Sequence, residues 1–158
     1  MKQYKILFLD IDGVLNSAQS ALYHRKAHGE RMPEFELCPI ATSNLQYIFE
    51  QVPDLRIVVS STWRGWGIKR MKSILSDYKI RPGYVIDVTP WIETKDGKHV
   101  KRGIEIQTWL DRNKDMVTDF VIVDDDSDME HLLPYLVQTD GYEGLMWRKA
   151  QEIIDKLK

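Results

Sequence analysis

Asp10 and Asp12 stand one residue apart where the apolar run Ile6-Leu7-Phe8-Leu9 ends, and Gly13 follows them. In an extended chain that spacing points both carboxylates the same way, and a glycine permits a sharp exit. A second acidic run, Asp124-Asp125-Asp126-Ser127-Asp128, follows a second short apolar run, Phe120-Val121-Ile122-Val123. If the two runs are neighbouring parallel strands, several carboxylates converge on one rim. Like charges at close range are unfavourable unless a cation or bound protons offset them. Hard oxygen ligands at an open rim suit Mg²⁺, which keeps several waters and binds through a few carboxylates plus a phosphate.

The elements that must hold these acids alternate along the chain. Ile6–Leu9 is continuously apolar between Lys5 and Asp10, the pattern of a strand buried on both faces in a parallel sheet. The spacing predicts strands over 4–9, 55–60, 84–88, 120–123 and 135–138. Helices are expected over 17–29, 40–51, 68–78, 103–112 and 145–157, with a polar loop over 94–100. Strands alternating with helices imply right-handed crossovers and a parallel sheet of about five strands covered on both sides. In such sheets ligands bind beyond the carboxyl ends of the strands, which is where Asp10, Asp12 and Asp124 fall.

With 158 residues, the chain is expected to form one domain over 1–158 with a real core. A net charge of −2 exerts no global pull on nucleic acid or anionic membranes, though it leaves room for a local basic patch. Cys38 is the single cysteine, so no intramolecular disulfide can form, as suits a reducing compartment. No apolar stretch is long enough to span a bilayer. The apolar run near the N-terminus, cut at Asp10, is too short for a signal peptide. A cytoplasmic location without membrane partners is therefore expected; the sequence specifies no oligomeric state.

Four separated features now stand in order: Asp10-Ile11-Asp12-Gly13, Ser60-Ser61-Thr62-Trp63-Arg64, Lys101-Arg102-Gly103 and Asp124-Asp125. This order resembles the haloacid-dehalogenase (HAD) superfamily of phosphohydrolases over nearly the whole chain. The finer match spans 9–16, 60–64 and 102–110. It is similar to the HAD domains of RNA-repair ("Swiss Army Knife") proteins, with polynucleotide 3′-phosphatases as relatives. The resemblance implies a three-layer Rossmann-like fold and a Mg²⁺-dependent phosphatase. Asp10 would be the nucleophile, forming an aspartyl-phosphate, and Asp12 the acid and then the base. The backbone carbonyl of Asp12 and the carboxylates of Asp10 and Asp124 would hold Mg²⁺, with Asp125 or Asp128 completing the shell. Ser60 would bind the phosphoryl oxygens. Arg102, with Lys101 as its rival, would neutralise the transferring group. Arg64 would add a phosphate or backbone contact. Val14 departs from the threonine common in relatives. The short segments between strands leave little room for a cap, and capless members tend to act on macromolecules or other large substrates.

Each residue also has a plainer reading. Asp10 and Asp12 alone could be a solvated turn. Asp124 to Asp128 imitates a calcium loop, but Met129 stands where that loop needs glycine and Tyr135 where it needs glutamate. Ser60, Ser61 and Thr62 offer helix-capping hydroxyls, so one of them can cap while another binds phosphate. His24 and His28 lie four apart without a third ligand. Trp63, Trp66 and Trp91 near the rim could stack bases, although aromatic packing is the commoner use. Three functions remain in competition: a phosphatase acting on nucleic-acid 3′ ends, a nucleotidase or other small-phosphomonoester phosphatase, and a phosphate-binding scaffold without turnover. Keeping both Asp10 and Asp12 argues against the scaffold, because binding alone needs no acid–base residue.

Overall fold

The protein is described here by a computed structural model covering residues 1–158. Strands β1 (Tyr4–Leu9), β2 (Leu55–Val59), β3 (Val85–Val88), β4 (Val117–Asp124) and β5 (Leu136–Gln138) form one sheet in the order β3-β2-β1-β4-β5. Every neighbouring pair is parallel. The helices are α1 (Ala18–His28), α2 (Pro39–Gln51), α3 (Ile68–Ser76), α4 (Arg102–Asn113) and α5 (Trp147–Leu157).

The unbroken apolar strands follow from burial on both sides. Leu7, Leu9, Ile57, Val59, Val121 and Val123 pack with residues of α2, α3 and α5 on one face. Ile6, Phe8, Val58 and Ile122 pack with Ile106, Trp109 and Leu110 of α4 on the other. Phe8 meets Trp109 and Phe120 edge to face, with centroids 5.4 and 5.8 Å apart, a favoured aromatic geometry. The three layers of the expected architecture are therefore present.

The boundaries differ from the sequence expectation where pairing or packing overrides pattern. β4 begins at Val117 because its polar start pairs with Tyr4 and Lys5 of β1. α5 begins at Trp147 because Leu145 is buried and its amide donates to the Val14 carbonyl at 2.8 Å. The polar loop folds back on itself through a Glu93–His99 bridge. α1 is a true helix, with a Ser17–Ser20 capping box and a left-handed Gly29 at its end, yet it buries no residue. Between β1 and β2 the chain holds only α1, α2 and their loops, and no further folded unit is inserted. No helix is long and apolar enough to cross a membrane.

Candidate active site

Register decides what meets at the rim. Leu9 pairs with both Val59 and Val123, so the next residues, Ser60, Asp10 and Asp124, fall on one line across the sheet. Backbone bonds fix that line: Ser60 N–H to the Leu9 carbonyl at 2.9 Å and Asp10 N–H to the Val123 carbonyl at 3.1 Å. The line continues outward through Thr89, bonded to Val59, and Thr139, bonded to Asp124. The chain changes direction in the sheet at β1/β4, because the crossover after β3 returns past both inner strands. Ligands of doubly wound sheets bind at such a switch point, and Asp10 and Asp124 flank it.

Asp10 and Asp124 are 7% and 2% exposed. Together with the more open Asp125 they can bring one oxygen each to within 4.8 Å of one another. Burial raises the pKa of Asp10 to about 6. Burial, and then the Asp10 charge, raises that of Asp124 to about 9. The two carboxyls are close enough to share a proton, and burial holds both above the ordinary carboxylate range. Arg102 opposes both shifts through its charge. Desolvated carboxylates this close need a proton or a cation between them. The donor set fits a hard divalent ion: Asp10, Asp124 and Asp125 would hold it. Asp128 is not brought to this cluster. Its carboxylate accepts the Arg102 backbone N–H at 3.1 Å and so caps α4, which corrects its expected place in the metal shell.

Gly13 turns the chain away from Asp12 with φ +80°, and a Cβ there would lie 2.2 Å from an Asp125 carboxylate oxygen. Gly103 has a different constraint: a Cβ would strike the Met129 carbonyl oxygen at 2.2 Å, so the start of α4 reaches the rim only because that position is bare. Val14 is fully buried in the core, which explains an apolar residue there. Thr139 ties down the same loop through its hydroxyl, 2.8 Å from the Gly13 carbonyl.

The two serines divide the expected tasks. The Ser61 hydroxyl accepts the Trp63 N–H at 3.1 Å and caps the 3-10 turn Thr62–Trp66. The Ser60 hydroxyl is fully buried at the rim and has no hydrogen-bond partner in the chain. Orphaned buried hydroxyls are costly, and this one fits a ligand oxygen. Arg102 donates from its guanidinium to the Ser60 carbonyl and is 14% exposed. Lys101 points away, pairing with Glu130 at 3.2 Å, so Arg102 rather than Lys101 is the cation at the rim.

Arg64 is placed differently from the sequence expectation. Its side chain is 2% exposed. One guanidinium nitrogen lies 2.8 Å from both oxygens of the fully buried Glu105, and another donates to the Ser61 carbonyl. Glu105 also accepts from the Ile92 amide and bonds His99 at 2.9 Å. Trp91 covers the Arg64 guanidinium, 4.6 Å from its ring. Arg64 thus braces the loop after β2 through both terminal nitrogens, and only its buried Nε is left without a partner. Glu105→Gln removes the charge that keeps Arg64 paired. It is expected to destabilise the fold by about 3–5 kcal/mol, the usual consequence of orphaning a buried charge, read as a lower urea midpoint at unchanged slope. Arg64→Met with Glu105→Leu should recover most of that loss; a single variant as stable as wild type would refute the bracing role.

Asp12 is exposed at the rim, and its carboxylate is held from two sides. Asn16 donates to Oδ1 at 2.9 Å, and the Trp63 indole N–H reaches Oδ1 and Oδ2 at 3.1 Å each. Sequence reasoning found Asp12 but missed these partners, as it missed Thr89, Thr139 and Glu105.

Over residues 6–150 the chain matches the family described as the HAD domain in Swiss Army Knife RNA repair proteins. It belongs to that family. The HAD superfamily is one of phosphohydrolases. No curated protein matches the chain by sequence. Among solved structures it is similar to the HAD domain of the effector protein Lem4 from Legionella pneumophila. The TM-score is 0.61 at 13% identity, over 99% of this chain and 97% of that one. At that identity the likeness speaks for the HAD fold alone.

Proposed function

We propose that this HAD domain is a Mg²⁺-dependent phosphomonoesterase that works through an aspartyl-phosphate and acts on 3′-phosphate ends of nucleic acid. The observation that carries the chemistry is the aligned row of Ser60, Asp10 and Asp124, with an unpartnered buried hydroxyl on one side of the nucleophile and a carboxylate pair on the other. Phosphoryl transfer is mostly positioning plus neutralisation of charge on the equatorial oxygens. Mg²⁺ held by Asp10, Asp124 and Asp125, with the Asp12 carbonyl, would supply much of that neutralisation. Ser60 and Arg102 supply the rest from the opposite side. The Asp10 carboxylate attacks phosphorus as the bond to the leaving oxygen breaks, and Asp12 gives that oxygen a proton. Asp12 then takes a proton from water as the water attacks the aspartyl-phosphate. The Asp10–phosphorus bond breaks, inorganic phosphate leaves, and Asp10 is restored.

The substrate reading rests on the family's description and on the rim itself. No inserted unit stands over it beyond α1, and Lys69 and Arg70 lie exposed beside it at the start of α3. Arg70 sits over the Phe35 ring at 4.8 Å, and Trp66 is 60% exposed. An extended polyanion can lie along this edge with its backbone near the cations. A panel of mononucleotides, sugar phosphates, a phosphoserine peptide and 3′- or 5′-phosphorylated oligonucleotides tests this. The 3′-phosphorylated oligonucleotide is expected to lead in kcat/KM by about tenfold or more, with an advantage that shrinks as salt is raised. A lead by mononucleotides or sugar phosphates would replace this reading with a small-substrate phosphatase. No turnover on any of them would leave a phosphate-binding domain.

A further inference from the structure

Beside Asp12 lies a hollow of about 330 Å³, bordered by Asp12, Phe35, Trp63 and Trp66 with Glu34 and Glu36 along its edge. It opens beside the residue that meets the leaving oxygen. A larger hollow of about 660 Å³ lies against α1 but touches no residue of the rim. Three features of the smaller one point to a ligand. Its wall is built from rings set edge to face: Phe35 meets both Trp63 and Trp66 with centroids 5.4 Å apart. Phe35 is held at φ +67°, a left-handed conformation unusual for a bulky residue and typical of binding segments. Trp66 keeps most of its surface open even though it belongs to this wall.

The edge of the hollow selects the kind of ring. Glu34, Glu36 and Asp12 are acids, which disfavours an anionic ring inside the hollow and leaves any further phosphate to Arg70 over Phe35, while a flat uncharged ring stacks without regard to its substituents. Trp63 belongs to both parts of the site. Its ring walls the hollow, and its N–H spans the two Asp12 oxygens. Asn16 adds a second bond to Oδ1 only, and itself accepts the Gly13 N–H at 3.1 Å. Oδ2 is therefore the less occupied oxygen of Asp12.

We infer that this hollow is the leaving-group subsite, that it receives a flat uncharged ring of the nucleobase class, and that Trp63 is the positioning residue holding Asp12 at its mouth. The inference rests on the phosphatase reading above and adds to it where the group beyond the scissile bond lies. Trp66 stacks the ring and Phe35, set perpendicular to Trp66, meets its edge; Trp63 and Asn16 fix the carboxylate so that Oδ2 faces the leaving oxygen.

Three substrates test it: a nucleoside 3′-phosphate, the same sugar phosphate without its base, and p-nitrophenyl phosphate. Trp66→Ala is expected to lower kcat/KM about tenfold on the nucleoside 3′-phosphate and to cost the baseless sugar phosphate far less. Equal losses on both, or no loss on either, overturn the ring subsite. Trp63→Phe keeps the wall and removes the N–H. It should lower kcat/KM about ten- to hundredfold for the two alcohol leaving groups and little for p-nitrophenolate, which departs without a proton. A merely structural role for Trp63 would lower all three alike, and that result overturns the positioning role. Absence of turnover on all three substrates in the wild-type protein would overturn the phosphatase reading and this subsite with it. Turnover of all three with substrate-independent losses would overturn the subsite alone.

Discussion

Asp10→Asn is expected to lower phosphatase activity about 10⁴-fold or more while leaving the fold intact. The amide is nearly isosteric with the acid, but it cannot attack phosphorus, and no other carboxylate occupies the place in the row between Ser60 and Asp124. The fold should even tolerate the change well, because the amide removes one of two buried like charges that burial already resists ionising. Asp12→Asn should cost about 10²–10⁴-fold and do so differently. With p-nitrophenyl phosphate the leaving group needs no proton, so Asp10 should still be phosphorylated and then wait for a base to activate water. Intact-mass measurement of Asp12→Asn after mixing should therefore find the mass of one phosphoryl group on the protein, absent from Asp10→Asn. Near-wild-type hydrolysis by Asp10→Asn, with no phosphoryl adduct on any variant, would remove the covalent mechanism.

That experiment can be designed from sequence because strand ends are legible in it. A four-residue apolar run buried on both faces has few alternatives, and an acid directly after it must sit at the edge of the sheet. Asp10 and Asp124 each follow such a run, and Ser60 follows the three-residue run Ile57–Val59. The register that sets them side by side is a long-range property and left no local trace. Thr89 and Thr139 were invisible for the same reason: they end short edge strands whose pattern is weak. Arg64 was read as a rim cation because it follows Ser60 closely. Its partner, Glu105, is 41 positions away and looks from the sequence like an ordinary helical glutamate. A charged pair buried this deeply is rare, so burial could not be read from residue type. The same holds for Trp63 and Asp12, 51 positions apart. Lys101 is the extended residue just before α4 and Arg102 the first of the helix, and the Glu130 contact shows which of the two turns outward.

The largest stability effect is expected from the carboxylate pair. Both folded-state pKa values lie above the ordinary 3.8, at about 6 and about 9. A group whose pKa rises on folding adds stability that is complete below its unfolded pKa and is lost as pH rises through the folded one. With metal chelated, these two groups should therefore make the fold less stable between about pH 5 and about pH 9. The Asp124→Asn variant isolates their share, because an amide in that place neither titrates nor repels Asp10. In EDTA its melting temperature should exceed that of the wild type at about pH 8, and the difference should narrow towards about pH 5. Mg²⁺ should act in the opposite sense. It competes with the shared proton, so its stabilisation of the wild type should grow with pH and with concentration, as expected of a ligand that binds only the folded state. Asp124→Asn should lose both that response and most of the activity. The pairing of outcomes matters: a variant more stable than wild type without metal, unresponsive to metal, and inactive is hard to obtain from a purely structural aspartate. A melting temperature indifferent to millimolar Mg²⁺, together with activity that survives EDTA, would mean that the acids at the ends of β1 and β4 hold a proton rather than a metal ion.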